Sequence, residues 1–129
     1  MKVAVTATGR TLDDAVDPRF GRCSTLLLVE PDDMSFEAIE NGNRSLGCGA
    51  GIQTAQLVAQ KGVKAVLTGN CGPNAHQTLS AAGIDVVVGC IGAVSDVVAR
   101  FKAGQLRPAA TPNVASHSGM GGRWRDSSR

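Results

Sequence analysis

The chain has 129 residues, a net charge of +2 and 43% hydrophobic residues, proportions that suit one domain with a modest core. Three Phe, one Trp and no Tyr leave few platforms for stacking nucleic-acid bases, and three of the arginines (Arg123, Arg125, Arg129) crowd the carboxyl end, so the rest is near neutral. These features argue against a nucleic-acid groove, and no apolar run approaches a membrane span. Met1-Lys2 leads straight into a short strand pattern rather than an apolar leader, so a cytoplasmic location is expected, with Cys23, Cys48, Cys71 and Cys90 reduced. The absence of C-x-x-C argues against a zinc ribbon or a dithiol redox motif.

Residues 2–7 are β-branched and apolar and predict a first, central strand. A loop of roughly fifteen residues follows to Cys23, long for a compact domain, with Asp13, Asp14, Asp17, Arg19 and Arg22 in it. It reads either as a functional loop or as a solvated one tied down by Val16 and Phe20. Residues 25–30 predict a second strand, Pro31-Asp32-Asp33 a turn, and 35–40 a third strand with one polar face, the two forming an antiparallel hairpin. The glycine-rich stretch Gly47-Cys48-Gly49-Ala50-Gly51 opens a helix whose apolar face is Ile52, Ala55, Val58 and Ala59. Lys61-Gly62 ends that helix.

A fourth strand is predicted over 63–68, and a second helix from Pro73 with Ala75, Leu79 and Ala82 inward. A fifth strand spans 84–88, and Val94, Val97, Val98 and Phe101 mark a third helix. Beyond 107 the pattern stops, so residues 1–106 are expected to form the domain and 107–129 a flexible tail.

The element order β-β-β-α-β-α-β-α places the site. With right-handed crossovers, the first, fourth and fifth strands run the same way. The loops 8–23, 41–51, 69–72 and 89–92 then gather at their carboxyl edge, with all four cysteines and all three helix N-termini. Ligands of open α/β sheets bind at that edge, and helix starts favour anions. Gly47, Gly49 and Gly51 permit close backbone approach, Arg19 and Arg22 add cationic donors, and Cys48 and Cys71 sit among glycines at helix starts, where a thiolate is stabilised. Each cysteine also has a bland alternative as a small buried hydrophobe. An anionic, thiophilic ligand such as a metal–sulfur cluster is implied. His76 is expected to be solvated or capping, and His117 lies in the tail.

Four segments carry a resemblance: 1–6, Val16-Asp17-Pro18-Arg19-Phe20-Gly21-Arg22-Cys23, Gly49-Ala50-Gly51-Ile52-Gln53, and Val66 through Gly69-Asn70-Cys71-Gly72-Pro73 to Ala75. In order and spacing, over about 1–106, they resemble the dinitrogenase iron–molybdenum cofactor biosynthesis family. The resemblance implies an α/β, ribonuclease H-like three-layer fold: a five-stranded mixed sheet of order 3-2-1-4-5, strand two antiparallel, helices on both faces. It implies a non-catalytic carrier or accessory protein in which a cluster can be held by electrostatics rather than cysteine ligation; Arg19, Arg22, Gly49, Gly51 and Asn70 are the expected cluster contacts, and Cys48 and Cys71 the expected metal ligands. The cargo would be a molybdenum–copper sulfide, as in the orange-protein group, or an iron–molybdenum or iron–sulfur precursor, with a protein partner in delivery. Nitrogenase-associated members commonly have His where this chain has Arg19, which leaves a thiomolybdate-type cluster open. The competing functions are a nuclease, for which the carboxylates are misplaced, a nucleotide-binding module, which lacks a P-loop Lys-Ser/Thr, and a ligand-free interaction or regulatory domain.

Overall fold

The computed structural model describes residues 2–21, 23–41 and 50–108. Along the chain run β1 (Val3–Ala7), β2 (Thr25–Glu30), β3 (Ser35–Glu40), α1 (Ala50–Gln60), β4 (Ala65–Leu67), α2 (Pro73–Ala81), β5 (Asp85–Val87) and α3 (Val94–Lys102). The five strands form one sheet in the order β3-β2-β1-β4-β5. β2 is antiparallel to both β1 and β3, whereas β1, β4 and β5 run parallel. This is the expected order and strand direction.

Because β1 is central, both its faces are covered and every residue in it is buried. Val3, Val5 and Ala7 face one layer with Leu27, Val29, Leu67 and the α3 stripe Val94, Val97 and Val98. Ala4 faces the other with Leu26, Leu28, Val66, and Ala55, Val58, Ala75 and Leu79 from α1 and α2. A period-2 strand between two period-3.6 helical stripes yields the three layers.

Three local expectations need correction. In α1 the buried positions are Thr54, Ala55 and Val58, while Ile52 and Ala59 are half-buried. The polar Thr54 is inward because its hydroxyl donates to the amide oxygen of buried Asn41 (3.3 Å). The alternation in 35–40 does not divide one buried from one polar face, since β3 is an outer strand. Ala38 reaches the α3-side layer, Ile39 the opposite one, and Phe36 is 44% exposed. The strands expected at 63–68 and 84–88 are shorter, β4 and β5 having three residues each.

The loop 8–23 is not a solvated excursion. Its backbone is laced along the carboxyl edge of the sheet. Thr8 N–H donates to Ala15 O (3.0 Å), Val16 N–H to Gly92 O (2.8 Å), Asp17 N–H to Thr6 O (2.8 Å), and Asn70 N–H to Pro18 O (2.7 Å). The last contact requires glycine at 69: a Cβ there would stand 2.6 Å from Pro18 Cα. Val16 and Cys23 are buried under the strap, and Phe20 packs against the α1/α2 layer. No helix among the described residues is long and apolar enough to cross a membrane. Of the segment expected to be a tail, only Arg107 and Pro108 lie within the described residues.

Candidate functional site

The three helix starts at the carboxyl edge are not equivalent. α3 is already satisfied: Val94 N–H donates to Asp14 O and Ser95 N–H to Leu12 O (both 2.9 Å), and Asp96 sits in its first turn. The strap therefore takes up two of the amides that the sequence had suggested were open to a ligand, and Asp96 of α3 itself offsets the dipole. α1 and α2 carry no acidic residue in their first turns, and no side chain caps α2, whose N-cap is Gly72 and whose first residue is Pro73. The starts of α1 and α2 also abut, since a Cβ on Gly51 would lie 3.4 Å from the Cβ of Ala75. Two adjacent helix N-termini without carboxylates make a local positive field that favours an anion.

Beside them the strap presents Arg19. Its backbone is bridged to Asn70, with Phe20 N–H donating to Asn70 O (3.3 Å), so the arginine is held next to the turn that starts α2. The Arg19 side chain is 64% exposed and its guanidinium pairs with Asp17. The Asp17 hydrogen bond and charge hold the Arg19 pKa above its ordinary value, so the group stays cationic.

Under this surface lies a row of buried polar groups that the sequence reading did not single out. The Thr6 hydroxyl is 2.7 Å from Asp17 O and 2.8 Å from the Thr68 hydroxyl. A hydroxyl has one proton, so if Thr6 donates to the carbonyl, Thr68 supplies the second bond. The Asn41 amide nitrogen donates to both Gly21 O and Cys23 O (3.0 Å each), and its backbone N–H to Ser24 O (3.0 Å). Asn41 thus ties the end of the strap to the end of β3, and Thr54 ties α1 to Asn41. The sequence places Asn41 only at the start of the loop 41–51. Nothing local marks an asparagine that will be buried at 1% exposure. The carboxylates of the strap do not converge either: Asp14 accepts from the Thr11 N–H (3.0 Å) and hydroxyl (2.9 Å), while Asp17 serves Arg19.

The cysteines among the described residues, Cys23, Cys71 and Cys90, share an edge but not a face. Cys23 and Cys71 belong to the α1/α2 layer, and Cys90 to the α3 layer on the far side of the sheet. All three are free thiols and buried, at 0%, 1% and 3% exposure. Burial pushes the Cys23 thiol up to about 11, with the Asp17 charge adding to it, and burial alone pushes Cys71 up to about 11. Burial also raises Cys90. Burial works against the thiolate expected of Cys71 at the start of α2, because the anion loses hydration there. Among the described residues no group of three or more His, Cys, Asp and Glu is placed to hold a metal ion. His76 is buried at 8% rather than solvated, its Nδ1 3.5 Å from the Ser80 hydroxyl. Arg22, Gly47, Cys48, Gly49 and His117 lie outside the described residues. Of the residues expected to bind a ligand, the structure brings Arg19, Asn70 and Cys71 together on the strap and its partner turn, with Gly51 against α2.

Known proteins share this fold. The family model for the dinitrogenase iron–molybdenum cofactor matches residues 1–104. The apo form of the orange protein from Desulfovibrio gigas superposes with a TM-score of 0.84 at 45% identity, covering 87% of this chain and 95% of that one. A Thermotoga protein provisionally named as NifB superposes with a TM-score of 0.72 at 30% identity, covering 83% and 91%. An uncharacterised protein of Methanocaldococcus jannaschii is 32% identical over 109 residues, which is 82% of this chain and 89% of the relative. With its fold, strand order and nearly its whole described length accounted for in this way, the chain belongs to the dinitrogenase iron–molybdenum cofactor family.

Proposed function

We propose that this protein binds and carries an anionic metal–sulfur cluster at the carboxyl edge of its sheet, for cofactor assembly or metal handling, without catalysing a reaction on it. The observation that carries the reading is the match to the orange protein over almost the full length of both chains. A protein named for its colour and solved in an apo form is one that takes up a coloured ligand. The resemblance to the orange-protein group makes a molybdenum–copper sulfide the leading cargo, and an iron–molybdenum or iron–sulfur precursor the next.

The described residues suit an anionic cluster held from outside better than a bare metal ion. No ready set of ligands stands among them, and Cys23 and Cys71 are held protonated by burial. A cluster whose metals are already bonded to sulfide needs N–H donors and cationic charge, which the starts of α1 and α2 and Arg19 supply. Gly51 and Asn70 line that approach, Cys71 lies beneath it and would have to lose its proton to ligate, and Arg22, Cys48 and Gly49 complete the proposed set. A protein partner that delivers or receives the cluster belongs to the same reading.

Anaerobic titration of the apo chain with tetrathiomolybdate and copper tests it. Uptake of molybdenum and copper in fixed ratio, with a visible absorption band that survives gel filtration, is expected. A colourless, metal-free protein after that treatment overturns the proposal. Binding that weakens steeply with ionic strength and survives Cys71→Ser would favour electrostatic holding over thiolate ligation.

A further inference from the structure

The exposed guanidinium of Arg19 stands on a carboxylate withdrawn from water: the Asp17 side chain is 4% exposed. Asp17 Oδ1 accepts from the Arg19 backbone N–H (3.0 Å) and from Nε–H (3.2 Å), and Oδ2 accepts from Nη2 (3.4 Å). A guanidinium has five N–H donors in a fixed plane. The carboxylate takes the fork made by Nε and Nη2. The other fork, with both protons of Nη1 and the second of Nη2, makes no hydrogen bond to a described residue and is open to a ligand. Asp17 in turn is gripped at both of its backbone groups by Thr6 of the central strand, N–H to Thr6 O at 2.8 Å and carbonyl to the Thr6 hydroxyl at 2.7 Å. The guanidinium is thereby referenced to the core of the sheet rather than to the loop that carries it.

A buried carboxylate beside an anion site is electrostatically a handicap, because it cancels the charge of its arginine. Its contribution is alignment: it fixes a long, flexible side chain with its remaining fork outward. From this juxtaposition we infer that Asp17 is a positioning residue for anion binding, acting through Arg19. The inference rests on the reading of this edge as an anion site. Charge and alignment predict opposite signs for the same substitution. Asp17→Asn removes a negative charge while keeping the shape and an oxygen that still accepts from the Arg19 backbone N–H.

The test is a double-mutant cycle on the full chain, with tetrathiomolybdate as the probe. Asp17→Asn is expected to weaken binding by about tenfold, the scale of one charge-assisted contact, and to have no further effect in an Arg19→Ala background. Unchanged or tighter binding by Asp17→Asn, or an equal loss in the Arg19→Ala background, overturns the inference. A second readout needs no ligand: the Arg19 Nε–H, whose acceptor is Asp17 Oδ1, is expected by nitrogen-15 NMR to exchange slowly with water in the wild type and rapidly in Asp17→Ala, which removes that acceptor. Equal exchange in the two also overturns the inference. A wild-type chain that fails to bind tetrathiomolybdate brings down the proposed function, while the exchange measurement still decides whether Asp17 holds the guanidinium.

Discussion

Replacing Gly69 by alanine should detach the strap from the sheet edge. The backbone at 69 does not lie in the left-handed region, so alanine is conformationally allowed and contact alone decides the outcome. The new Cβ would stand 2.6 Å from Pro18 Cα and 3.2 Å from Pro18 O, where ordinary contact begins at 3.4 Å. The obstructing atoms are main chain and cannot rotate away, so residues 17–20 must retreat by about 0.8 Å or more, enough to break the Phe20–Asn70 bond that is already 3.3 Å long and to stretch the 2.7 Å Asn70–Pro18 bond. Overpacking of this kind costs about 1–3 kcal/mol and each backbone bond about 0.5–1.5 kcal/mol net, so a loss of roughly 2–4 kcal/mol is expected. Urea denaturation measures it, and hydrogen exchange at the Asn70 and Phe20 amides localises it. Gly72→Ala is the control: no described residue lies within 4 Å of its Cβ, and the entropy gained and the N-cap preference lost leave it within about 0.5 kcal/mol of wild type. A Gly69→Ala protein as stable as that control, with Asn70 still protected, would refute the steric argument.

Other substitutions probe the groups beneath the strap. Thr6→Val strands the Asp17 carbonyl and the Thr68 hydroxyl in a buried site and should cost about 1–3 kcal/mol in urea melts, with Thr6→Val/Thr68→Val costing less than the sum of the single changes. Asn41→Ala removes the donor shared by Gly21 O and Cys23 O and should cost about 2–4 kcal/mol, with faster proteolysis near 21–24. The raised thiols of Cys23 and Cys71 make stability depend on alkaline pH. Between their ordinary value of 9.0 and about 11 the native state keeps protons that the unfolded chain releases, so stability is whole below 9.0 and falls as pH rises through that window. The urea midpoint in reductant should drop between pH 9 and 11 and drop less in Cys23→Ala/Cys71→Ala. At pH 8 a disulfide reagent should leave Cys23, Cys71 and Cys90 unmodified until denaturant is added, because thiolate, not thiol, reacts.

Much of the architecture was legible because its signals are local. The β-branched and, Thr6 apart, apolar run of β1 required burial on both faces, and the stripe Val94, Val97, Val98 required a helix against a sheet. Chain order and the handedness of crossovers then carried the loops to one edge, where the structure indeed gathers 8–23, 69–72 and 89–92. Errors arose where a residue's fate depends on a partner far along the chain. Thr54 turns inward for Asn41, and Phe36 stays out because β3 is an outer strand beyond the helices' cover.

The site shows the same division more sharply. From sequence, Arg19, Asp17 and the cysteines were charges and thiols on loops near one another, and the amides of all three helices looked open. The tertiary structure decided which are available. It spent the start of α3 on Asp14 and Leu12 carbonyls, placed Cys90 on the opposite face from Cys71, buried the thiols of Cys23, Cys71 and Cys90 and coupled Asp17 to Arg19. By itself the sequence determined the elements, their order and the edge where chemistry collects, since hydrophobic period and chain direction are properties of short segments. Which donors remain free at that edge was decided only by folding, because hydrogen-bond partners and desolvation are set by atoms that meet across the sheet.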